Sequence, residues 1–171
     1  DVGTGSGCIA IAVAKELPTC TVVATDIEAI PLRVARENAE QAGVADRVSV
    51  VVADTLDGVS QDAGPFDIIA SNPPYIPDGE FEGLMKTVRD FEPRVALTAG
   101  PDGMDVIRRL VDHASRAEVL IPGGLLVMEI SDEDQAVSVK GLLESSGFSE
   151  IRIRKDYSGV SRVVVARASI G

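Results

Sequence analysis

The sequence predicts an α/β protein built on a doubly wound, mostly parallel sheet, and three observations support this class. Short apolar or β-branched runs alternate with helical segments along the chain. A glycine-rich loop at residues 3–7 opens the first helical segment, which is typical of a strand leading into a helix. Polar residues directly follow several apolar runs, where open α/β sheets place their chemistry. The 171 residues suit one domain, expected to span residues 1–171.

The helices follow from apolar periodicity and from glycine and proline at their ends. Pro18 ends the first helix, Pro31 lies in the first turn of the second, and Gly43 follows its last residue. Between residues 78 and 95 the weak periodicity predicts an irregular segment with one short helix. The predicted helices cover residues 8–17, 28–42, 104–116 and 135–145.

The strands are short apolar runs bounded by turn residues. Residues 120–124 are predicted to form a turn before the fifth strand. The turn at 156–159 predicts a terminal hairpin, so the last strand should run antiparallel to its neighbours. Only residues 1 and 2 precede the glycine loop, so we expect a truncated first strand and a fragment of a longer protein. The predicted strands cover residues 21–26, 47–53, 66–70, 125–130, 150–154 and 162–166.

Composition weighs against several classes of function. The formal net charge is −11, which argues against a broad phosphate-binding face because nonspecific nucleic-acid binding is mostly electrostatic. Two cysteines and a single histidine offer no ligand set, so we expect no metal site and no Ser-His-Asp hydrolase. That histidine, His113, is predicted to be a half-exposed helix residue. No apolar run approaches the ~20 residues that cross a bilayer, and a cytoplasmic location without membrane contact is the default expectation.

A stiff loop follows the fourth predicted strand. Pro73 and Pro74 each fix φ at about −65° and remove a backbone donor. Pro73 also pushes Asn72 toward an extended conformation. The Asn72 side chain and the neighbouring carbonyls should therefore be held rigidly at the carboxyl end of a strand, where α/β sheets bind ligands. Asn and Pro are also common in plain strand-end turns, which is the alternative interpretation of this loop.

The glycine-rich loop and the acids at the next strand ends predict a nucleoside-containing ligand. The third glycine of the loop comes one residue earlier than in dinucleotide-binding loops, and no Lys is present for phosphate. Asp26 follows the loop at the position where an acid accepts hydrogen bonds from ribose hydroxyls. Asp54 and Thr55, after the third strand, could meet an adenine amino group. Either acid could instead cap a turn. Together with the proline loop, this combination favours S-adenosylmethionine over NAD.

On these residues the sequence resembles class I S-adenosylmethionine-dependent methyltransferases with the Asn-Pro-Pro-Tyr motif, which methylate a planar amide or amino nitrogen. It is most similar to the HemK/PrmC family, the peptide chain release factor glutamine N5-methyltransferases. Two segments, 92–97 and 100–103, are more particular to the glutamine enzymes than the motif itself. The matching segments include residues 1–7, 67–77, 92–97, 100–104, 122–124 and 129–130.

The resemblance implies a Rossmann-like class I methyltransferase fold and a role for each candidate residue. The Asn72 oxygen and the Pro73 carbonyl would accept hydrogen bonds from the substrate nitrogen, and Tyr75 would stack on the planar substrate group. The implied catalytic residues are Asn72, Pro73, Pro74 and Tyr75. The implied residues for S-adenosylmethionine are Asp1, Gly3, Thr4, Gly5, Ser6, Gly7, Asp26, Ile27, Asp54, Thr55 and Asn72.

The resemblance also implies a substrate: the glutamine of the Gly-Gly-Gln motif in release factors, methylated by a monomeric enzyme. We expect the family's N-terminal helical domain to be missing from these 171 residues, and the usual glycine after Glu129-Ile130 is replaced by Ser131. Thr55 stands at a position that is often aromatic in the family. Two alternatives stay open. One is methylation of an exocyclic amino group of adenine or guanine in nucleic acid, and the other is an inactive, cofactor-binding fragment.

Overall fold

The computed structural model describes residues 1–169, so the last two residues of the expected 1–171 domain lie outside the described residues. None of the helices in this described part is long and apolar enough to cross a membrane. The helices are α1 Cys8–Glu16, α2 Ala29–Gln41, α3 Lys86–Arg89, α4 Asp105–Ala114 and α5 Glu133–Ser145. The strands are β1 Val22–Asp26, β2 Val48–Val52, β3 Phe66–Ser71, β4 Leu120–Glu129, β5 Ser149–Lys155 and β6 Ser161–Arg167.

A single residue joins two halves of the sheet. β1 pairs with β2 in parallel, and the other half has the order β3-β4-β6-β5. Val2 bridges Thr25 of β1 and Ser71 of β3 in parallel, so it holds the central position. β3 and β4 are parallel, whereas β6 is antiparallel to both β4 and β5. The structure confirms the doubly wound, mostly parallel sheet with an antiparallel C-terminal hairpin.

Two apolar clusters of different character stabilise these halves. The larger one packs α4 and α5 against β4 and β6, and burying each of its large side chains contributes roughly 1.5–3 kcal/mol. Its fully buried side chains include Ile107, Leu110, Leu126, Met128 and Leu143. The smaller cluster lies beside the glycine loop and consists of Ala10, Ala14, Ala24, Ala39, Val44 and Val48. Its small side chains let α1 and α2 lie close to β1.

The fifth predicted strand begins earlier than the sequence indicated. β4 starts at Leu120 and not at 125, because the predicted turn is an irregularity within the strand. Phe66 pairs with Leu120 and Ile68 with Leu125, so several residues of β4 bulge between two positions of β3. Gly123 lies in this bulge with φ +78°, a conformation that glycine adopts at no steric cost.

The irregular segment after β3 takes the predicted form. It contains the short helix α3 and a 3₁₀ helix on either side, at Asp78–Gly83 and Arg94–Ala96. Ile76 forms an isolated bridge with Thr98, so the two ends of the segment meet. This segment carries the chain from the end of β3 to α4.

Candidate active site

Hydrogen bonds bring the carboxyl ends of the strands together. The Ser71 hydroxyl donates to the Val2 carbonyl at 2.8 Å, and the Thr4 amide donates to the Thr25 carbonyl at 2.8 Å. The Thr25 hydroxyl donates in turn to the Thr55 carbonyl at 2.9 Å. The glycine loop therefore lies between the ends of β1 and β3, and the segment after β2 lies beside the end of β1. The sequence predicted this convergence.

The three glycines of the loop all have positive φ, but they serve two purposes. Gly3 and Gly5 have φ of +68° and +55°, and a Cβ added at either would meet no atom within 4 Å. Their backbone therefore faces open space that a ligand can approach. Gly7, with φ +87°, lies against α2, where an added Cβ would be 3.1 Å from the Cβ of Ala35. The third glycine lets the start of α1 pack on α2.

Three further loop residues fix the shape of this backbone. Oδ2 of Asp1 accepts hydrogen bonds from the Thr4 hydroxyl at 2.5 Å and from the Ala10 amide at 3.0 Å. Oδ1 of Asp1 is buried and has no hydrogen-bond partner within residues 1–169. Ser6 is exposed, and its carbonyl accepts a hydrogen bond from Asn38 at 2.9 Å. Direct contacts of Asp1, Thr4 and Ser6 with a cofactor stay a prediction.

Asp26 joins the glycine loop to the start of α2. Its Oδ2 accepts a hydrogen bond from the Gly5 amide and its Oδ1 one from the Glu28 amide, each at 3.0 Å. The capping role weighed from the sequence is therefore present. A carboxylate has about four acceptor positions, so two such bonds leave capacity for ribose hydroxyls. Asp26 is partly exposed. The apolar residue beside it, Ile27, is 50% exposed at the same strand end.

The segment after β2 is turned toward the interior. Thr55 has φ +57°, a conformation that costs a non-glycine residue about 1–2 kcal/mol. Its buried hydroxyl lies 2.5 Å from Nδ1 of His113, so this side chain faces α4. Asp54 is half-exposed and pairs with Arg109 of α4 at 3.4 Å. The expectation of a half-exposed His113 is wrong, since the residue is 9% exposed and packs under this segment.

The Asn-Pro-Pro-Tyr loop combines an exposed amide with buried supports. Asn72 is exposed, Pro73 is buried, and Pro74 and Tyr75 are half-buried. The Tyr75 ring packs against the large apolar cluster, and its hydroxyl donates to Glu129 at 3.2 Å. Burial, followed by the negative charge of Glu129, raises the pKa of Tyr75 above its ordinary value. Tyr75 thus anchors the loop, while stacking of its ring on a substrate stays a prediction.

Gln135 and Gly103 hold the backbone of the same loop. The buried Gln135 side chain donates to the Tyr75 carbonyl at 3.3 Å and to the Gly103 carbonyl at 3.4 Å, and it accepts from the Ser131 amide. Gly103 has φ +71°, and an added Cβ would lie 2.2 Å from the Tyr75 carbonyl oxygen. Asp132 caps α5 by accepting from the Gln135 amide at 2.9 Å. That hydrogen bond from the Gln135 amide lowers the pKa of Asp132 below its ordinary value.

A polar cavity of about 380 Å³ adjoins Tyr75. Its lining includes Ile76, Pro77 and Glu80 from the segment after β3, together with residues of α4 and α5. Arg108 contributes a positive charge there and pairs with Asp102 at 2.5 Å. Tyr75 is the one residue of the Asn-Pro-Pro-Tyr motif that lines the cavity.

The donor set fits a nucleoside-containing cofactor better than a metal ion. The open backbone of the glycine loop, the remaining acceptor capacity of Asp26 and the orphaned Oδ1 of Asp1 can all serve hydroxyl or amino groups. Over residues 1–169, no group of three or more His, Cys, Asp or Glu side chains is placed to hold a metal ion.

Sequence reasoning missed three supports of the site. His113 lies three residues after the fully buried Leu110, so its position on the apolar face of α4 was a usable signal. Gln135 carries no such signal, and Gly103 lies in the segment 100–103, which the resemblance singled out without giving it a role. Their roles depend on contacts with Tyr75, which is 60 residues from Gln135 in the sequence.

The methyltransferase small domain model matches residues 1–88, slightly more than half of the chain. The chain belongs to the methyltransferase small domain family. The matched range contains the glycine loop, Asp26 and the Asn-Pro-Pro-Tyr loop, so all the candidate residues named from the sequence lie within the family's own region.

Curated relatives are more specific. The chain is 43% identical to the release factor glutamine methyltransferase of Rhodopirellula baltica over 164 residues, which are 96% of the chain and 54% of that protein. It is 44% identical to the protein of the same name from Chlorobaculum tepidum, covering 95% of the chain and 54% of the relative. The chain thus spans about half the length of these relatives. This similarity confirms the resemblance drawn from the sequence.

A solved structure confirms the fold of this methyltransferase domain. A methyltransferase from Pyrococcus furiosus superposes with a TM-score of 0.71 at 21% identity, covering 99% of the chain and 73% of that protein. The predicted class I, Rossmann-like architecture is therefore correct.

Proposed function

We propose that this chain is the catalytic domain of an S-adenosylmethionine-dependent methyltransferase that acts on the glutamine of the Gly-Gly-Gln motif in release factors. One observation carries the proposal: the exposed Asn72 follows Ser71, whose hydroxyl bonds to the Val2 carbonyl where the glycine loop begins. An amide acceptor and the open glycine loop thus lie at one edge of the sheet. The relatives' names supply the choice of substrate.

The cofactor would lie across the ends of β1 and β2. The open backbone at Gly3 and Gly5 would face its amino-acid portion, and Asp26 would accept hydrogen bonds from its ribose hydroxyls. Asp54 and the backbone of Thr55 would face the adenine. When bound, S-adenosylmethionine supplies a methyl group that is already electrophilic, and the substrate nitrogen displaces a neutral thioether from it.

The Asn72 loop would bind and orient the substrate nitrogen. An amide nitrogen is a poor nucleophile because its lone pair is delocalised into the carbonyl. The Asn72 oxygen and the Pro73 carbonyl would accept hydrogen bonds from its two N–H groups. These bonds would hold the nitrogen in line with the methyl group. Such positioning by fixed dipoles accelerates reactions without a strong base. After transfer the nitrogen is cationic and acidic, so its extra proton leaves to water.

The remaining properties follow from this proposal. A release factor is a soluble translation protein, so we place the enzyme in the cytoplasm. We propose that the enzyme acts as a monomer. We also propose that the catalytic domain comprises residues 1–171 and that a helical substrate-holding domain lies in the part of the relatives that this chain does not match.

The test is methyl transfer by the full-length gene product, using cofactor with a radiolabelled methyl group. Purified release factor should take up label, and a release factor whose Gly-Gly-Gln glutamine is replaced by alanine should not. Unmethylated tRNA serves as the second substrate. Label in tRNA and none in the release factor would replace the proposal with a nucleic-acid methyltransferase. Cofactor binding without label in either would indicate a cofactor-binding module.

A further inference from the structure

We infer that His113 is a positioning residue for cofactor binding: by holding Thr55 in its left-handed conformation, it fixes the segment that would face the adenine. This inference deepens the proposed function and rests on it. His113 is the only histidine of the chain, and it lies on α4, outside the motifs that predicted the site.

The first support is the conformation of Thr55. A β-branched residue rarely has φ near +57°, and it keeps such a conformation only where its surroundings hold it. Two contacts do so here. The Thr25 hydroxyl donates to the Thr55 carbonyl at 2.9 Å, and the Thr55 hydroxyl lies 2.5 Å from Nδ1 of His113. Both contacts are buried, so water does not compete for them.

The second support is that α4 contacts the segment at two points. Arg109 lies one helical turn before His113, on the same face of α4, and pairs with Asp54 at 3.4 Å. Two neighbouring side chains of one helix therefore hold two neighbouring residues of the segment. Arg109 and Asp54 are each about half-exposed and contribute little, whereas the His113 contact is buried.

The direction of the His113 bond follows from the protons available. The Thr55 hydroxyl has one hydrogen, and its oxygen also lies 2.6 Å from the Asp54 carbonyl oxygen, which can only accept. Both contacts are satisfied when the hydroxyl donates to that carbonyl and Nδ1–H of His113 donates to the hydroxyl oxygen. We assign His113 the Nδ1–H tautomer on this basis. These two hydrogen bonds, from His113 to the Thr55 hydroxyl and from that hydroxyl to the Asp54 carbonyl, orient the Asp54–Thr55 peptide from the side of α4.

Loss of the His113 donor should therefore weaken cofactor binding and spare the transfer step. Without it the Thr55 hydroxyl is no longer held toward α4, and the segment can leave its left-handed conformation. The Asn72 loop is held by other residues, Gln135 and Gly103, so its geometry should not change.

The test uses the full-length protein, three single substitutions and the double variant His113→Phe/Thr55→Val. His113→Phe keeps the ring and removes the donor. His113→Asn places an amide nitrogen near the position of Nδ1 and serves as the conservative variant. Thr55→Val removes the partner hydroxyl and keeps its shape. The affinity for S-adenosylmethionine is measured by calorimetry, and kcat is measured at saturating cofactor. The melting temperature of each variant is recorded alongside.

We expect His113→Phe and Thr55→Val each to raise Kd about 5–20-fold, which corresponds to one buried hydrogen bond. The double variant should bind S-adenosylmethionine no more weakly than the weaker-binding single variant, since the two substitutions remove the same hydrogen bond. His113→Asn should return Kd to within about 3-fold of wild type. For the two His113 variants, kcat at saturating cofactor should stay within about 2-fold of wild type. Binding of 5′-methylthioadenosine, which keeps the adenosine and lacks the amino acid, should weaken to the same extent.

Three results would overturn the inference. The first is an unchanged Kd in both His113→Phe and Thr55→Val. The second is additive weakening in the double variant, and the third is a loss confined to kcat. If His113→Phe does not fold, His113→Asn and Thr55→Val decide the outcome. A wild-type protein that does not bind S-adenosylmethionine would contradict the proposed function itself, and is thereby distinguished from failure of the inference about His113.

Discussion

The glycine loop and the Asn-Pro-Pro-Tyr loop are held by side-chain contacts of different sequence range. On the cofactor side, Asp1 bonds to the amide nine residues later, and Gly5 bonds to Asp26, which is 21 residues away. On the acceptor side, Tyr75 bonds to Glu129 and Gln135, at separations of 54 and 60 residues. The glycine loop is thus held by neighbouring elements, whereas the Asn-Pro-Pro-Tyr loop depends on contacts with β4 and α5 that are distant in sequence. On the cofactor side, Thr55 also depends on a distant contact, that with His113 of α4.

The side chains that pack beneath the two loops also differ in size. Small alanines support the glycine loop and let backbone approach backbone, so the ligand meets main-chain groups. Large side chains support the acceptor loop, and the half-buried Tyr75 packs against them. The cofactor side should therefore respond most to changes in hydrogen bonding, and the acceptor side most to changes in volume.

The largest effect is expected at Asn72. Asn72→Ala should lower methyl transfer by about 10²–10³-fold, because removing one positioned acceptor has an effect of this size in other enzymes. The affinity for S-adenosylmethionine should change no more than about 3-fold. Asn72→Asp, which keeps an acceptor oxygen, should retain more activity than alanine. Turnover near wild type in the full-length Asn72→Ala enzyme would show that the two-acceptor mechanism is wrong.

Gly103 tests the long-range support of the acceptor loop. Gly103→Ala should destabilise the protein by about 2–4 kcal/mol, because the new Cβ would lie 2.2 Å from the Tyr75 carbonyl oxygen at a positive φ. Chemical denaturation measures this change. Gly79→Ala is the matched control, since an added Cβ there meets nothing within 4 Å. Equal stability of the two variants would contradict the close packing at Tyr75.

Asp26 tests the cofactor side. Asp26→Ala should weaken S-adenosylmethionine binding by about 10–100-fold, since a hydrogen bond to a charged group contributes about 1.5–3 kcal/mol. Calorimetry gives the affinity, and the exposed Asp46→Ala is the control for loss of one negative charge. An affinity equal to wild type would leave Asp26 with its capping bonds to Gly5 and Glu28 alone.

The smallest effect concerns the acid stability of α5, which carries Gln135. The pKa of Asp132 is lowered in the folded state, so its stabilising contribution is present above the ordinary pKa and is lost as pH falls through the lowered one. Asp132→Asn keeps the cap but does not titrate. It should match wild type at pH 7 and lose less stability below about pH 4, by no more than about 1 kcal/mol. Thermal unfolding across pH checks this difference, and parallel curves would contradict it.

The order of the elements and much of the site were predictable because they depend on local chemistry. Positive φ requires glycine, so the turns at Gly3 and Gly5 are evident from residue type. Proline restricts its own φ and its neighbour, so the stiff strand end at Asn72 is evident too. The carboxyl ends of parallel strands meet at one edge, which brings Asp26 to the same place.

Only the tertiary structure decided how these parts are supported. Apolar periodicity indicates which face of α4 is buried, but it does not name Thr55 as the partner of His113. The sequence likewise does not show that Gly103 lies against Tyr75, or that β4 begins at Leu120 through a bulge. The physical reason is range. Conformational preference acts within a few residues, whereas these contacts join residues that become neighbours only when helices and sheet pack together.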